Sequence, residues 1–142
     1  MVELSRIRGL LLDMDGVIYR GDSPTPGAAQ FFKFLRSAGV KFSLITNNST
    51  RTAVQYVEKL ARMGIQVEEE DVLTAGQATA QHLAANATRG ARVFVVGELG
   101  LTQPMEQAGF TLTDDQPNYV VVGMDTHFTF EKLRIACQAI RR

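Results

Sequence analysis

Two aspartates one residue apart, Asp13 and Asp15, follow the apolar run Leu10-Leu11-Leu12 and immediately precede Gly16. Neighbouring carboxylates oppose each other's ionisation, so one can stay charged as a nucleophile or metal ligand while the other holds or trades a proton. Gly16 lets the backbone come close to a bound ion or substrate, where a side chain would obstruct it. Asp-Met-Asp-Gly also suits a plain turn, because Asp and Gly punctuate loops by local hydrogen bonding and positive φ. It does not suit a helix-loop-helix calcium site, since Val17 takes the place of the third oxygen ligand and Pro24 that of the closing Glu.

A second polar run, Thr46-Asn47-Asn48-Ser49-Thr50-Arg51, ends the apolar stretch Val40 to Ile45. A hydroxyl and exposed amides at the carboxyl end of a strand, ahead of a helix amino terminus, form a natural cradle for a phosphate. Helix capping competes for the same residues, with Thr52 and Gln55 spaced as a capping box, but capping does not require the run of polar residues before it. Asp125 and His127, in the loop between Gly123 and Thr129, could face a ligand or shape the strand-to-helix connection, and the second is the first reading. Glu68 to Asp71 reads as a solvated turn, and His82 as a surface or packing residue. Cys137 is the only cysteine, so the chain has neither an intrachain disulfide nor a cysteine zinc cluster, and its helical setting favours a packed thiol.

The stretch Asp13-Met14-Asp15-Gly16-Val17-Ile18-Tyr19-Arg20-Gly21 resembles the first motif of the haloacid dehalogenase-like phosphohydrolases, in the form used by the NagD-like and 4-nitrophenylphosphatase-like branch. Thr46-Asn47-Asn48-Ser49 resembles the second motif of the same family, and Val120 to Leu133 a segment of its cap domain. The resemblance implies a magnesium-dependent phosphomonoester hydrolase working through an aspartyl-phosphate. In it Asp13 is the nucleophile, Asp15 the general acid and base, and Thr46, Asn47, Asn48 and Gly16 the phosphate-binding residues. Magnesium would be held by the Asp13 carboxylate, the Asp15 backbone carbonyl and a late acidic motif that these residues lack. The implied substrate is a small phosphorylated metabolite.

These residues need strand ends to carry them, and the chain supplies alternating strand-like and amphipathic stretches. Strands are predicted over Ile7 to Leu12, Val40 to Ile45, Val72 to Thr74, Val93 to Val96 and Tyr119 to Val122. Apolar residues on both faces of the first suit the centre of a parallel sheet. A helix capped by Thr25, with Pro26 at its first position, runs to about Ala38 with Phe31, Phe34, Leu35 and Ala38 inward. The next, Ala53 to Met63, packs Val54, Val57, Leu60 and Ala61, and Gly39 and Gly64 stop the two. Further helices span Gly76 to Asn86, Leu101 to Ala108 with Pro104 in its first turn, and a final one capped by Thr129 with Leu133, Ala136, Cys137 and Ile140 on one face. The expected architecture is α/β: residues 1–79 form the N-terminal part of a Rossmann-like parallel-sheet core, and 80–142 the first part of an inserted α/β cap.

Fifteen basic and fifteen acidic residues cancel, which removes the charge field that would hold nucleic acid or an anionic membrane. No signal-peptide core and no bilayer-length apolar stretch is evident, so a cytoplasmic location is expected. A response-regulator receiver fits less well, because Thr74-Ala75-Gly76 stands where its phosphorylatable Asp belongs. A noncatalytic α/β interaction module with degenerate acids stays open as the alternative. The resemblance covers the whole chain but about the first half of a family member. The lysine and late acidic residues that follow the cap in the family have no counterpart here. The 142 residues alone are therefore expected to be inactive or nearly so, with under-covered apolar faces on the Phe31 and Val57 helices that favour self-association or binding of a complementary piece.

Overall fold

The computed structural model describes residues 7–88 and 90–141. Those residues form two compact units, one made of the chain up to Thr46 together with Ala53–Leu73, the other of Asn47–Thr52 together with the chain from Thr74 onward.

The first unit is built on a sheet of order β1 (Gly9–Asp13), β4 (Lys41–Thr46) and β5 (Val72–Thr74), with β1 and β4 parallel. Among the described residues β4 lies between β1 and β5, and Leu11 is 75% exposed with Leu10 and Leu12 half-buried. A two-stranded hairpin, β2 (Tyr19–Arg20) and β3 (Ser23–Pro24), follows β1. The sequence analysis did not anticipate it, although Gly21-Asp22 between the strands is a two-residue turn signal.

Helix α1 (Ala28–Ser37) starts later than expected, because Thr25 is occupied elsewhere: its N–H donates to Ile18 O and its hydroxyl to Val17 O. The α1 residues that reach the core are Ala28, Phe32 and Leu35, while Phe31 and Phe34 face outward. Phe31, Phe32, Phe34 and Leu35 satisfy two helical stripes at once, and the choice falls to Phe32 because it meets Phe42 of β4 edge-on at 5.1 Å. Helix α2 (Ala53–Arg62) likewise buries Ala53, Tyr56, Lys59 and Leu60 and leaves Val54 and Ala61 exposed. Lys59 is buried because its ammonium lies 3.8 Å from the centre of the Tyr19 ring, a cation–π contact that helps to offset its desolvation. Both helices end at left-handed glycines, Gly39 and Gly64, as expected. The acidic run stays solvated at Glu68 to Glu70 and forms a 3-10 turn, Glu69–Asp71, in which Asp71 pairs with Arg36 of α1 at 2.6 Å.

The second unit has an all-parallel sheet of order β7 (Thr111–Leu112), β6 (Arg92–Val96), β8 (Tyr119–Val122), of which β7 was not expected. Its core gathers Ala80, Val93, Leu101, Met105, Phe110 and Val121. Helix α3 (Ala75–Asn86) opens with a reciprocal capping box: Gln77 N–H donates to the Thr74 hydroxyl and Thr74 N–H to the Gln77 side chain. Helix α4 (Leu99–Gln107) begins two residues before the predicted start, so Pro104 sits in its sixth position. Proline there deprives the Gly100 carbonyl of its helical donor. That carbonyl abuts Gly76 of α3 so closely that a Cβ on Gly76 would lie 1.9 Å from the oxygen, an approach only glycine permits.

Helix α5 (Phe130–Ile140) is capped as predicted, with Thr129 Oγ1 accepting from Lys132 N–H. Its covered side is another matter. Only Ala136 is buried, Ile135 and Ala139 are half-covered, and Leu133, Cys137 and Ile140 are exposed. The expected stripe lies one step around the helix from the side that rests on the sheet, and the thiol is not packed.

Candidate active site

The loop after β1 is organised by the residue between the two acids. Met14 is fully buried, and its carbonyl accepts N–H groups from Val17, Ile18 and Tyr19 at 3.3, 2.9 and 3.3 Å. Burying Met14 turns Asp13 and Asp15, its neighbours on either side, out to solvent. Gly16, at φ 83°, closes the turn by donating its N–H to Tyr19 O at 2.8 Å. The left-handed conformation costs an L-residue roughly 1–2 kcal/mol, so glycine is used here for its backbone. Asp13 Oδ1 accepts the N–H of Met14 at 2.9 Å, and Asp15 Oδ2 lies 3.3 Å from the Tyr19 hydroxyl, which donates to it. Ile18 and Tyr19, both buried, and Thr25, bonded to Val17 and Ile18, fasten the far side of the loop.

In the β1–β4 register Asp13 stands opposite Ile45, which puts Thr46 one residue further along at the same carboxyl end of the sheet. Asp13, Asp15, Gly16 and the buried Thr46 thus belong to one unit, and the two strands end in Asp13 and Thr46 at the same carboxyl end of the sheet.

Asn47 and Asn48 belong to the other unit. Asn48 Oδ1 accepts both the N–H and the hydroxyl of Thr50, at 3.0 and 2.8 Å, which fixes the turn after β4. Ser49, buried, accepts the N–H of Met124 at 2.9 Å and so ties this turn to the loop after β8. Asn47 is exposed and lines an open groove of about 370 Å³ with Ser49, Thr79, His82 and Tyr119.

The Gly123–Thr129 loop gathers charges of its own. Asp125, its side chain 2% exposed, takes the Lys132 ammonium on Oδ2 at 2.6 Å and the His127 N–H on Oδ1 at 2.9 Å. The Lys132 hydrogen bond holds the Asp125 carboxyl below its ordinary range, more than desolvation raises it. Glu98 Oε1 accepts the hydroxyl and N–H of Thr126 at 2.6 and 2.8 Å, which likewise lowers its pKa. Glu98, Asp125 and His127 are near enough to share a cation, but a lysine ammonium already occupies Asp125. These contacts hold the strand-to-helix connection together, the role read for Asp125 and His127 from the sequence.

Sequence reasoning gave no individual role to Tyr19 or Ser49, which stand in the two quoted motifs, and did not mark Lys59. Tyr19 carried a signal, standing at the start of a hairpin-spaced pair. Lys59 carried none, because its burial depends on a ring forty residues away in the chain.

The profile described as haloacid dehalogenase-like hydrolase matches residues 10–111. The chain is 40% identical over 134 residues to the 5'-nucleotidase YutF of Bacillus subtilis, covering 94% of this chain and 52% of that protein. It is 36% identical over 140 residues to an acid sugar phosphatase of Staphylococcus haemolyticus, covering 98% and 53%. Among solved structures, the glycerol phosphate phosphatase of Mycobacterium tuberculosis in complex with magnesium superposes with a TM-score of 0.88 at 33% identity, over 94% of this chain and 41% of that one. The chain spans about half the length of the curated relatives it matches. With its motifs at the strand ends, a partial Rossmann-like sheet and a profile match over most of its length, the chain belongs to the haloacid dehalogenase-like hydrolases.

Proposed function

We propose that these residues form the N-terminal half of a magnesium-dependent phosphomonoester hydrolase, with Asp13 as nucleophile and Asp15 as general acid and base. The observation that carries the reading is that adjacent parallel strands bring Asp13 and Thr46 to the same carboxyl end of the sheet, with Asp15 turned outward by the buried Met14. The passage from core (1–79) to cap (80–142) is proposed near residue 79, a few residues after the second compact unit takes up the chain at Thr74.

In this mechanism an Asp13 carboxylate oxygen attacks phosphorus, the bond to the leaving oxygen breaks, and Asp15 protonates that oxygen. Asp15 then takes a proton from the water that attacks the aspartyl-phosphate, restoring Asp13 and releasing inorganic phosphate. The Thr46 hydroxyl and the amides of Asn47 and Asn48 hold phosphoryl oxygens, and Gly16 keeps the approach clear. The Asp13 carboxylate and the Asp15 carbonyl, both hard oxygens, would hold magnesium together with the late acidic residues that have no counterpart in these 142 residues. When bound, it neutralises charge on the phosphoryl group.

The relatives named 5'-nucleotidase, acid sugar phosphatase and glycerol phosphate phosphatase support a small phosphorylated metabolite as substrate without selecting one. The test is hydrolysis of a panel of phosphate monoesters with and without magnesium. It is run on the 142 residues alone and on the same residues joined to the remaining half of YutF. Turnover near background is expected from the first and magnesium-dependent turnover from the second. In the joined chain Asp13→Asn abolishes activity, and Asp15→Asn slows esters with poor leaving groups by about a hundredfold or more. Undiminished turnover in Asp13→Asn rejects the assignment.

A further inference from the structure

Beneath the loop after β1 lies a chain of contacts that the mechanism does not use, all of it within the first compact unit. Tyr19 is fully buried, and its main chain is tied to the loop: its N–H donates to Met14 O at 3.3 Å, its carbonyl accepts from Gly16 N–H at 2.8 Å, and its backbone bridges to that of Asp15. The buried Lys59 ammonium lies over one face of the ring at 3.8 Å, and the phenol hydroxyl donates to Asp15 Oδ2 at 3.3 Å. A cation over a phenol draws electron density from the ring and makes its hydroxyl the stronger donor. The separation from Oδ2 is long for a hydroxyl and a carboxylate, as catalytic hydrogen bonds commonly are before substrate is in place.

We infer that Tyr19 is a positioning residue for Asp15, holding Oδ2 so that Oδ1 is the oxygen that exchanges the proton, and that Lys59 reinforces the hold through the ring. The inference rests on the reading of Asp15 as general acid and base. An oxygen already accepting the Tyr19 proton is the poorer site for a second one, so this bond distinguishes two otherwise equivalent oxygens. The proton on Oδ1 passes to the leaving oxygen as its bond to phosphorus breaks. Oδ1 then takes a proton from the water that attacks the aspartyl-phosphate, and Tyr19 keeps its own proton throughout. Because the ring is buried and held through its main chain, the carboxylate it holds is spared a search over rotamers.

Tyr19→Phe removes the hydroxyl and keeps the ring over which Lys59 lies. In the chain joined to the remaining half of YutF, kcat/KM covers the steps through formation of the aspartyl-phosphate, where the leaving group takes its proton. The variant is expected to lower kcat/KM about fivefold or more for glycerol phosphate, an alkyl ester, and to keep it within about twofold for 4-nitrophenyl phosphate, whose leaving group departs without a proton. Added to Asp15→Asn, it has no further effect on the alkyl ester. Lys59→Met is expected to show the same selectivity at smaller size, and Lys59→Arg to restore the alkyl ester. Equal losses on the two esters, no loss on either, or a loss undiminished beside Asp15→Asn overturns the inference. An Asp15→Asn chain fully active on the alkyl ester overturns the general-acid reading and the inference with it. A second readout needs no turnover: in the 142 residues alone, the Asp15 Hα–Hβ couplings are expected to be those of one χ1 rotamer and to become rotamer-averaged in Tyr19→Phe. The same couplings in both chains overturn the inference as well.

Discussion

At the residue scale the candidate site depends on a side chain with no chemistry of its own. Met14 fills the core beneath the loop, and its carbonyl collects three N–H groups that fold the following residues back on themselves. Truncation leaves a cavity, and Met14→Ala is expected to cost about 2–4 kcal/mol in urea unfolding. Because the outward setting of Asp13 and Asp15 follows from the inward setting of Met14, the variant should also loosen the loop. Faster amide exchange at Gly16, whose N–H is held by Tyr19 O, reads that out. A loss below about 0.5 kcal/mol would show that the site does not depend on this anchor. The Tyr19 ring serves two neighbours, its face taking the Lys59 ammonium and its hydroxyl donating to Asp15.

At the scale of elements, two junctions in the second unit decide the geometry. The first is the contact between α3 and α4, where Gly76 meets the Gly100 carbonyl left without a helical donor by Pro104. Adding a methyl group there forces backbone to move against backbone, so Gly76→Ala is expected to lower stability by more than about 2 kcal/mol, the reverse of what helix propensity predicts. Equilibrium unfolding decides the sign. The second junction is the loop from β8 to α5, held by Asp125. The Lys132 hydrogen bond sets the folded pKa of that carboxyl below the unfolded one. Its contribution is therefore complete above the unfolded value of about 4 and is lost as pH falls through the folded value. Thermal melts from pH 7 to pH 3 should show Asp125→Asn less stable than the unaltered chain at neutral pH, with the difference shrinking below about pH 4. A constant difference would rule out ionised Asp125 as its source.

For the whole molecule, charge balance and exposed apolar surface act together. Net charge is zero at pH 7, while Leu11, Phe34, Val122 and Phe130 are all more than 60% exposed. Without net repulsion these surfaces meet more readily, so solubility is expected to pass through a minimum near neutral pH and to rise on either side. Light scattering between pH 5 and 9 tests this, and a monotonic trend would count against it. Among the described residues no helix is long and apolar enough to cross a membrane.

The sequence by itself determined the parts that depend on local chemistry. Apolar runs of five or six residues ending in Asp13 and Thr46 marked two strand ends, Thr129 and Gly39 marked helix boundaries, and the polar content of the two loops marked the candidate site. Each follows from propensity, capping or turn preference, which act within a few residues. Which face of a helix is buried was not decided at that range. In α1 and α5 apolar residues occupy more than one stripe, and only the position of β4 or of the β6–β8 sheet selects Phe32 over Phe34 and Ala136 over Leu133. The same holds for Lys59, whose charge is buried against an aromatic ring from another part of the chain. Burial is a property of what lies opposite, and tertiary structure alone supplies the opposite surface.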